Sequence, residues 1–400
     1  MQKKLLEAIF CRIKGEPFAV TYWDGDTRVY GTKDKEGEPS LRLMINEKLN
    51  LKEMFLEPDV KFGEAYMDRK IDFEGDLRAI FSLLLENENL FKGSTDQKGL
   101  LQRFLKSQKE TSSQKQAENV QYHYDLGNDF FELWLDKTMS YSCAYFKSPE
   151  DSLDQAQLQK IDHVLRKLQL KEGERLLDIG SGWGWLLIKA AKEYGVEALG
   201  ITLSKEQEEG TKRRIAEEGL EDRVKVRLAD YRDLPAEGPT FDKIVSIGMF
   251  EHVGKDHKSE YFSALNKMLK PGGLSLLHTM THPTEIPTNP WLEKYIFPWG
   301  YIPSLREVMW ELPEHSFHLI DAESLRLHYS MTTGRWADNF EKVVDRVEEK
   351  YGERFVRMWR LYLNGASISF LYSGLDIHQL LFSKGLNNEL PLTRDYLYKM

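Results

Sequence analysis

The chain has 400 residues, of which 41% are hydrophobic and 30% charged, and its formal net charge at pH 7 is −9. This composition predicts a globular protein with two domains, and the negative charge argues against general affinity for nucleic acid. Two cysteines, Cys11 and Cys143, cannot build a disulfide framework, and no run of residues approaches the roughly 20 apolar positions of a membrane-spanning helix, so we expect a cytoplasmic protein.

Residues 1–91 predict a small α+β domain. A helix over residues 3–14 precedes two alternating runs at 18–23 and 27–32, and the DGD sequence between these runs is typical of a hairpin turn. One more alternating run and two helical stretches follow, at 40–45, 52–67 and 75–85. This part carries no catalytic spacing. Its apolar surfaces are compatible with a lipid or protein contact and equally with a folded core.

Residues 92–118 predict a linker. The stretch is polar and rich in Lys, Gln and Ser, and its basic residues outnumber the acidic ones around an apolar stripe formed by Leu100, Leu101, Phe104 and Leu105. Two interpretations stay open, an amphipathic helix that rests on anionic lipid and a solvated connection between domains. We expect the second domain to comprise residues 119–400.

The stretch LLDIGSGWG at 176–184 is the strongest local signal in the second domain. A buried strand runs into a glycine-rich turn and then into a helix over residues 185–194. The three glycines permit a sharp turn and a close approach of ligand to backbone, and the first amides of the helix attract polar ligand groups. A dinucleotide site prefers a small residue where this chain has Trp185, and it needs a carboxylate where the next strand ends in Thr202. The pattern therefore favours S-adenosylmethionine over NAD.

Strands and helices alternate after this turn. This alternation predicts the α/β class, with a doubly wound, mostly parallel sheet whose ligand binds beyond the carboxyl ends of the strands. The predicted strands lie at 175–179, 197–201, 224–228, 241–247 and 274–280. The polar residues at the strand ends are Asp178, Thr202, Asp230, Glu251 and His278.

Residues 281–313 interrupt the alternation and predict a lid insertion with an apolar inner face. The segment has five prolines up to residue 303 and six aromatic residues, which are Trp291, Tyr295, Phe297, Trp299, Tyr301 and Trp310. These aromatic residues are also compatible with an ordinary hydrophobic core. The prolines and the break in the alternation favour a lid that covers a pocket. The predicted sheet resumes at 317–321 and ends with a strand at 375–383, after a long aromatic helix at 353–372.

Several segments of the chain resemble bacterial cyclopropane-fatty-acyl-phospholipid synthases, which are class I S-adenosylmethionine-dependent methyltransferases. The matching segments are YHYDLGNDFFELWLDKTMSYSCAYF, LLDIGSGWGWL, GITLSKEQ, GMFEHVG, LKPGG, LLHT and NPWLEKYIFPWGYIPS, and they cover most of residues 119–400. The glycine-rich turn and LKPGG are general to class I methyltransferases, whereas YSCAYF, FEHVG and YIFP are more specific. The resemblance implies a Rossmann-like catalytic domain and an N-terminal lipid-binding-type domain, which residues 1–91 would supply.

The resemblance also implies a reaction and a set of site residues. S-adenosylmethionine gives a methylene to the cis double bond of an unsaturated phospholipid acyl chain, and a bound bicarbonate accepts the proton. The implied bicarbonate site comprises Cys143, Glu251, His278 and Tyr329, with the backbone of Met280. The implied cofactor positions are Tyr141, Ser142, Leu176, Leu177, Asp178, Ile179, Gly180, Ser181, Gly182, Trp183, Gly184, Thr202, Leu203, Ser204, Gln207, Asp230, Tyr231 and Arg232.

Within this site, we expect Glu251 to act as a hydrogen-bond partner that raises the basicity of the anion, with direct deprotonation by Glu251 as the alternative. His252 is expected to be a structural hydrogen-bonding residue. No spacing of histidines and cysteines indicates a metal site.

The implied partner is unsaturated phospholipid, reached by peripheral contact with the inner face of the cell membrane. A homodimer is possible, and a nucleic-acid partner is not expected. Two other hypotheses stay open. One is methyl transfer to a small amine, or to an acyl chain without ring closure. The other is a non-enzymatic lipid-binding protein, which would leave the polar strand ends unexplained.

Overall fold

The computed structural model describes residues 2–32, 39–87 and 127–398. The chain divides into two compact units. The first unit comprises Met1–Lys109, Pro287–Pro298 and Trp336–Gly374, and the second comprises Glu110–Ile286, Trp299–Arg335 and Leu375–Met400. Two segments that the sequence analysis placed in the second domain thus belong to the first unit. The expected boundaries at 91 and 118, and the linker with its apolar stripe, lie outside the described residues and stay predictions.

The first unit contains a four-stranded sheet in the order β2-β1-β3-β4. Its strands are β1 (Phe18–Thr21), β2 (Thr27–Tyr30), β3 (Leu41–Ile45) and β4 (Ile71–Glu74). The predicted hairpin is present as the antiparallel pair β1–β2, while β3 pairs in parallel with β1 and antiparallel with β4. The helices of this unit are Gln2–Phe10, Leu51–Leu56, Pro58–Met67, Leu77–Glu86, Pro290–Tyr295, Val344–Tyr351 and Glu353–Tyr372.

Two predictions for the first unit are wrong in detail. The single helix expected over 52–67 is interrupted at Glu57, whose φ of −135° is not helical, because a following proline disfavours helical backbone at the residue before it. Strand β4 was not predicted, since its four residues, IDFE, are too few to show an alternating pattern.

Arg357 ties the long helix Glu353–Tyr372 into the first unit. Its guanidinium lies 4.0 Å from the ring centroid of Tyr66 and donates to the backbone oxygens of Tyr66 at 2.6 Å and Ile71 at 3.1 Å. The carboxylate of Asp72 accepts a further bond at 3.1 Å and balances the charge. A buried arginine is stable here because these groups satisfy its donors.

Part of the expected lid packs inside the first unit. The hydroxyl of Tyr295 and the ammonium of Lys294 both donate to Glu64, at 2.8 and 2.6 Å. The indole of Trp291 lies so close to Gly63 that a Cβ there would approach it to 2.3 Å. These contacts hold residues 287–298 against the helix Pro58–Met67, and a lid function for the whole segment 281–313 stays a prediction.

The second unit contains a seven-stranded sheet in the order β10-β11-β9-β8-β5-β6-β7. Its strands are β5 (Arg175–Ile179), β6 (Glu197–Thr202), β7 (Val224–Leu228), β8 (Phe241–Ile247), β9 (Leu269–Thr281), β10 (Phe317–Ser324) and β11 (Asp376–Lys384). Strands β7, β6, β5, β8 and β9 are parallel, and β11 is antiparallel to both β9 and β10. The expected doubly wound, mostly parallel α/β sheet is confirmed.

Helices cover this sheet because its central strands are apolar on both faces, as in β5, where every residue after Arg175 is buried. The helices are Asn128–Phe131, Leu153–Leu168, Trp185–Tyr194, Lys205–Glu217, Leu234–Glu237, Lys258–Met268, Leu305–Glu314 and Asp395–Tyr398. The helix Arg326–Glu341 has residues in both units. Strand β9 begins at Leu269, five residues before the strand predicted at 274–280, and its pairing with β8 has a register shift. No helix in the described ranges is both long and apolar enough to cross a bilayer.

Candidate active site

A cavity in the second unit opens where four parallel strands end. Its lining includes Asp178 and the turn after β5, Thr202 at the end of β6 with Leu203 after it, residues 229–232 after β7, and Gly248 and Met249 after β8. The carboxyl ends of parallel strands meet at one edge of the sheet, so these loops converge on one ligand site. The sequence predicts a ligand at this edge.

All of the expected cofactor positions line this cavity except Leu176, Leu177 and Ser204. The two leucines are fully buried inside β5 and contribute to the core. Ser204 caps the helix Lys205–Glu217, since its hydroxyl accepts from the amide of Gln207 at 3.3 Å. These three residues therefore support the cavity without lining it.

The glycine-rich turn needs its glycines for conformation and for space. Gly180, Gly182 and Gly184 have φ values of +83°, +53° and +80°, which side chains other than glycine rarely adopt. Gly184 also precedes the first residue of the helix Trp185–Tyr194. A Cβ on Gly184 would lie 2.4 Å from Cγ2 of Thr211, so no larger residue fits without displacement.

Asp178 is the buried carboxyl group of the cavity. Burial raises the pKa of Asp178 to about 7, and the nearby ammonium of Lys160 opposes that rise. Thr202 and Asp230, the other strand-end residues that line the cavity, are already engaged. The Thr202 hydroxyl donates to Gln207 at 2.7 Å, and Asp230 accepts from the guanidinium of Arg232 at 2.9 Å.

Two residues of the helix Leu153–Leu168 were missed by the sequence analysis. The side chain of Gln157 donates to the backbone oxygens of Ser140 and Ser142, at 3.2 and 2.9 Å. Lys160, only 4% exposed, lines the cavity and donates to the hydroxyl of Ser142 at 3.1 Å. Burial lowers the pKa of Lys160. The sequence pattern that could have identified Gln157 and Lys160 is a pair of polar residues three positions apart on the inner face of an amphipathic helix.

His252 also lines the cavity, although its position was expected to be only structural. Burial lowers the pKa of His252 to about 4, so the imidazole is neutral at physiological pH. It belongs to the short 3-10 turn Phe250–His252, which follows β8 and also carries Glu251. The turn thus connects the cavity with the expected anion residues, which do not line it.

Glu251 is a buried carboxylate with one oxygen engaged. Its Oε1 accepts from the backbone amide of Met280 at 2.7 Å, and burial raises the pKa of the carboxyl. Its Oε2 is buried without a hydrogen-bond partner in the part of the chain that the structure describes. The amide of Met280 was expected at the anion itself. Here it positions Glu251 instead.

His278 lies on β9, two residues before Met280, and is 1% exposed. Its Nδ1 lies 3.3 Å from the side-chain nitrogen of Gln379, a residue that the sequence analysis missed. Its Nε2 is buried and has no partner among the described residues. Burial, with nearby Lys160 and Lys167, lowers the pKa of His278 well below its usual value, so the ring is neutral.

Cys143 and Tyr329 meet at Leu325. The backbone oxygen of Leu325 accepts from the Tyr329 amide at 3.0 Å and lies 3.9 Å from the sulfur of Cys143. Leu325 in turn donates to Ile377, which is opposite Met280 in the sheet. Burial raises the pKa of Cys143, so this residue is a thiol and not a nucleophilic thiolate. Backbone contacts through Leu325 and Ile377 thus connect Cys143 and Tyr329 with Met280 on β9, and a shared anion site for the five residues stays a prediction.

The described residues contain no group of three or more His, Cys, Asp or Glu side chains suited to a metal ion.

Comparisons with known proteins agree with this geometry. The family described as "Mycolic acid cyclopropane synthetase" matches residues 111–380, and a domain family of unknown function matches residues 5–96. A "Probable fatty acid methyltransferase" of Pseudomonas putida is 36% identical over 393 residues, 96% of each chain. The "Cyclopropane-fatty-acyl-phospholipid synthase" of Escherichia coli K12 is 42% identical over 273 residues, which are 68% of this chain and 69% of that protein.

A solved structure shows the same fold with a product of the expected co-substrate. The mycolic acid cyclopropane synthase CmaA1, complexed with SAH (S-adenosylhomocysteine) and CTAB, has a TM-score of 0.63 and 34% identity, covering 67% of this chain and 98% of that one. The expected family, enzyme class and co-substrate are supported together. The chain belongs to the mycolic acid cyclopropane synthetase family of S-adenosylmethionine-dependent methyltransferases.

Proposed function

We propose that this methyltransferase converts the cis double bond of an unsaturated phospholipid acyl chain into a cyclopropane, with bicarbonate as the proton acceptor. The protein would reach its substrate by peripheral contact with the inner face of the cell membrane. The observation that carries the proposal is a pair of buried polar atoms near the end of β9, Oε2 of Glu251 and Nε2 of His278, neither of which has a partner within the described ranges. Buried polar atoms are rarely left without a partner, and these two belong to residues that the family resemblance implies for an anion site, so together they support a ligand there.

Bicarbonate fits this pair of atoms. An oxygen of the anion can accept from an imidazole N–H, and its hydroxyl can donate to a carboxylate oxygen. The buried thiol of Cys143 is a further weak donor beside Leu325. Bicarbonate, when bound there, would supply the base. Burial makes His278 a weak one, because it lowers the pKa of the imidazole, and one oxygen of Glu251 is already engaged by Met280.

The cavity supports the transfer step through shape and aromatic surface. S-adenosylmethionine, when bound, supplies an electrophilic methyl group on a positively charged sulfur. An alkene is a weak nucleophile, so the protein must hold the double bond against that methyl and keep water from the cation that forms. Tyr141, Trp183, Trp185 and Tyr231 line the cavity, and aromatic faces stabilise positive charge.

A second function is methyl transfer to the acyl chain without ring closure. The relative that covers 96% of this chain carries the name fatty acid methyltransferase, which favours this alternative. The two reactions share the attack on the methyl group and differ in which proton leaves afterwards. A base fixed near the new methyl group favours the ring, since loss of a proton from that methyl closes it.

Product analysis distinguishes the two functions. Purified protein is incubated with methyl-labelled S-adenosylmethionine and vesicles of cis-unsaturated phospholipid, and the released acyl chains are examined by mass spectrometry and proton NMR. The proposal expects the label in a cyclopropane ring. A methylene product, or a methyl-branched product that keeps a double bond, would establish the second function, and acyl chains without label would contradict both.

The pKa of Asp178 predicts how co-substrate affinity changes with pH. In the ligand-free protein this carboxyl holds its proton below pH 7, because burial raises its pKa to about 7. A cationic ligand that hydrogen-bonds to the carboxylate must expel this proton, so affinity rises as pH increases through 7 and levels off above it. If only the carboxylate binds, affinity increases about tenfold between pH 6 and 8.

Calorimetric titration of S-adenosylmethionine into wild type and Asp178→Asn at several pH values checks this prediction. The amine of the ligand titrates identically in both experiments, so the difference between the two pH profiles belongs to Asp178. Identical profiles would show that the carboxyl does not change its protonation on binding.

A further inference from the structure

We infer that Gln379 is a positioning residue that holds His278 in the tautomer with its proton on Nε2, so that the imidazole offers a donor to the bound anion. The inference rests on the proposed anion site and adds a residue to it. Gln379 lies 101 positions from His278 along the chain, and no motif connects the two.

The sheet brings the two side chains together. His278 on β9 and Gln379 on β11 are directly opposite in the antiparallel register, so their side chains leave the same face of the sheet. Both are buried, with exposures of 1% and 0%. The side-chain nitrogen of Gln379 lies 3.3 Å from Nδ1 of His278.

The chemistry of the amide then fixes the imidazole. An amide nitrogen carries only donors, so the Nδ1 that faces it must accept. A neutral imidazole has a single proton, and Nδ1 as acceptor leaves that proton on Nε2. Nε2 of His278 is buried and has no partner in the described part of the chain, as is also true of Oε1 of Gln379, and as a donor Nε2 suits an anion oxygen.

The residue opposite Gln379 on its other neighbouring strand supports this assignment. Glu323 on β10 is opposite Gln379, and it is a carboxylate that could have oriented an imidazole in the other way. The Glu323 carboxylate instead contacts two side chains of the helix Leu153–Leu168. Its Oε2 lies 2.7 Å from Nε2 of His163 and 2.6 Å from the ammonium of Lys167. The amide of Gln379 therefore separates His278 from that carboxylate.

A carboxylate in place of the amide would reverse the tautomer. It would accept from an Nδ1–H, leaving a lone pair on Nε2 that repels an anion. The Gln379→Glu variant has nearly the same shape as wild type and makes this change. In Gln379→Met the donor is lost without a new acceptor, so neither tautomer is imposed.

The experiment combines a spectroscopic and a kinetic measurement at pH 8.5, where the imidazole is neutral. Nitrogen-15 NMR of the labelled imidazole assigns the tautomer without bicarbonate, and the His278→Gln spectrum identifies the signals. We expect Nε2–H in wild type and Nδ1–H in Gln379→Glu. In bicarbonate-depleted buffer, the KM for added bicarbonate should rise at least tenfold in Gln379→Glu and by an intermediate factor in Gln379→Met, with S-adenosylmethionine affinity unchanged.

The same substitution at Gln159 is the matched control. Gln159 donates to Asp151 at 3.1 Å, away from the anion residues, so Gln159→Glu should leave the KM for bicarbonate unchanged. An Nδ1–H tautomer in wild type, or an unchanged tautomer in Gln379→Glu, would overturn the inference whatever the kinetics. A third outcome is also informative: both tautomers are as expected, but the rate of wild type does not depend on bicarbonate. That result would contradict the proposed function and still support the role of Gln379 in orienting His278.

Discussion

Replacing Glu251 with glutamine will lower turnover by about 10²–10³-fold while the affinity for S-adenosylmethionine stays within about threefold of wild type. The substitution keeps one carbonyl oxygen for the amide of Met280, which now donates to Oε1 at 2.7 Å. It places an NH2 group where the unpartnered Oε2 now lies. The neutral amide can no longer accept from the anion, so the base is less well held and less basic.

The measurement is the rate of label transfer from S-adenosylmethionine into phospholipid at saturating substrates, with calorimetry for co-substrate affinity. Glu307→Gln is the matched control. Glu307 is also a carboxylate of the second unit with little exposure, but it accepts from Lys258 and Tyr301 at 3.0 Å. Its loss should reduce thermal stability and leave turnover per folded molecule near wild type. Full turnover by Glu251→Gln would refute the role assigned to this carboxylate.

Bicarbonate dependence decides between the two roles of Glu251. If the carboxylate assists a bound anion, wild type loses activity in bicarbonate-depleted buffer and recovers it on addition, and Glu251→Gln recovers little. If Glu251 removes the proton directly, wild type is indifferent to bicarbonate and the variant is inactive at every concentration. The raised pKa of the buried carboxyl is compatible with either role, so the buffer experiment is needed.

The parallel part of the fold followed from local sequence. Strands such as β5 are short apolar runs bounded by turns, and the alternation of such runs with amphipathic helices predicts their parallel order. The strand-end residues Asp178, Thr202 and Asp230 line the cavity as expected, because the topology places every parallel strand end at one edge. Glu251 and His278 do not line the cavity, since the Glu251 carboxylate contacts the backbone of β9 and the His278 ring contacts Gln379 on β11.

The remaining features depend on pairings between distant parts of the chain. Gln379 is defined only by its register opposite His278, and the register of an antiparallel strand pair cannot be read from either strand alone. Lys160 could not be singled out from the sequence, because a lysine on the inner face of a helix usually extends its long side chain to solvent. The assignment of Pro287–Pro298 to the first unit depends on contacts such as that of Trp291 with Gly63, 228 positions apart in sequence.

Adding a single methyl group at Gly184 will lower S-adenosylmethionine affinity at least about 30-fold, or about 2 kcal/mol. Two costs combine in Gly184→Ala. The left-handed backbone at φ +80° costs an alanine roughly 1–2 kcal/mol. The new Cβ would also lie 2.4 Å from Cγ2 of the fully buried Thr211, and relieving such overpacking costs roughly 1–3 kcal/mol. Because Gly184 lines the cavity, the turn relieves both costs by moving away from the position that binds the ligand.

A rescue variant and a control separate the two costs. Thr211→Ser removes Cγ2 and keeps the hydroxyl that donates to the backbone oxygen of Gly182 at 3.2 Å, so the double variant Gly184→Ala/Thr211→Ser should recover about tenfold of the lost affinity. Gly219→Ala has the backbone cost alone, since Gly219 has φ +64° and its Cβ would meet nothing within 4 Å. That variant should lose thermal stability and bind S-adenosylmethionine like wild type. Calorimetry measures the affinity for S-adenosylmethionine in wild type, the two single variants and the double variant. No recovery in the double variant would assign the whole loss to backbone strain, and unchanged affinity in Gly184→Ala would show that this turn does not shape the co-substrate site.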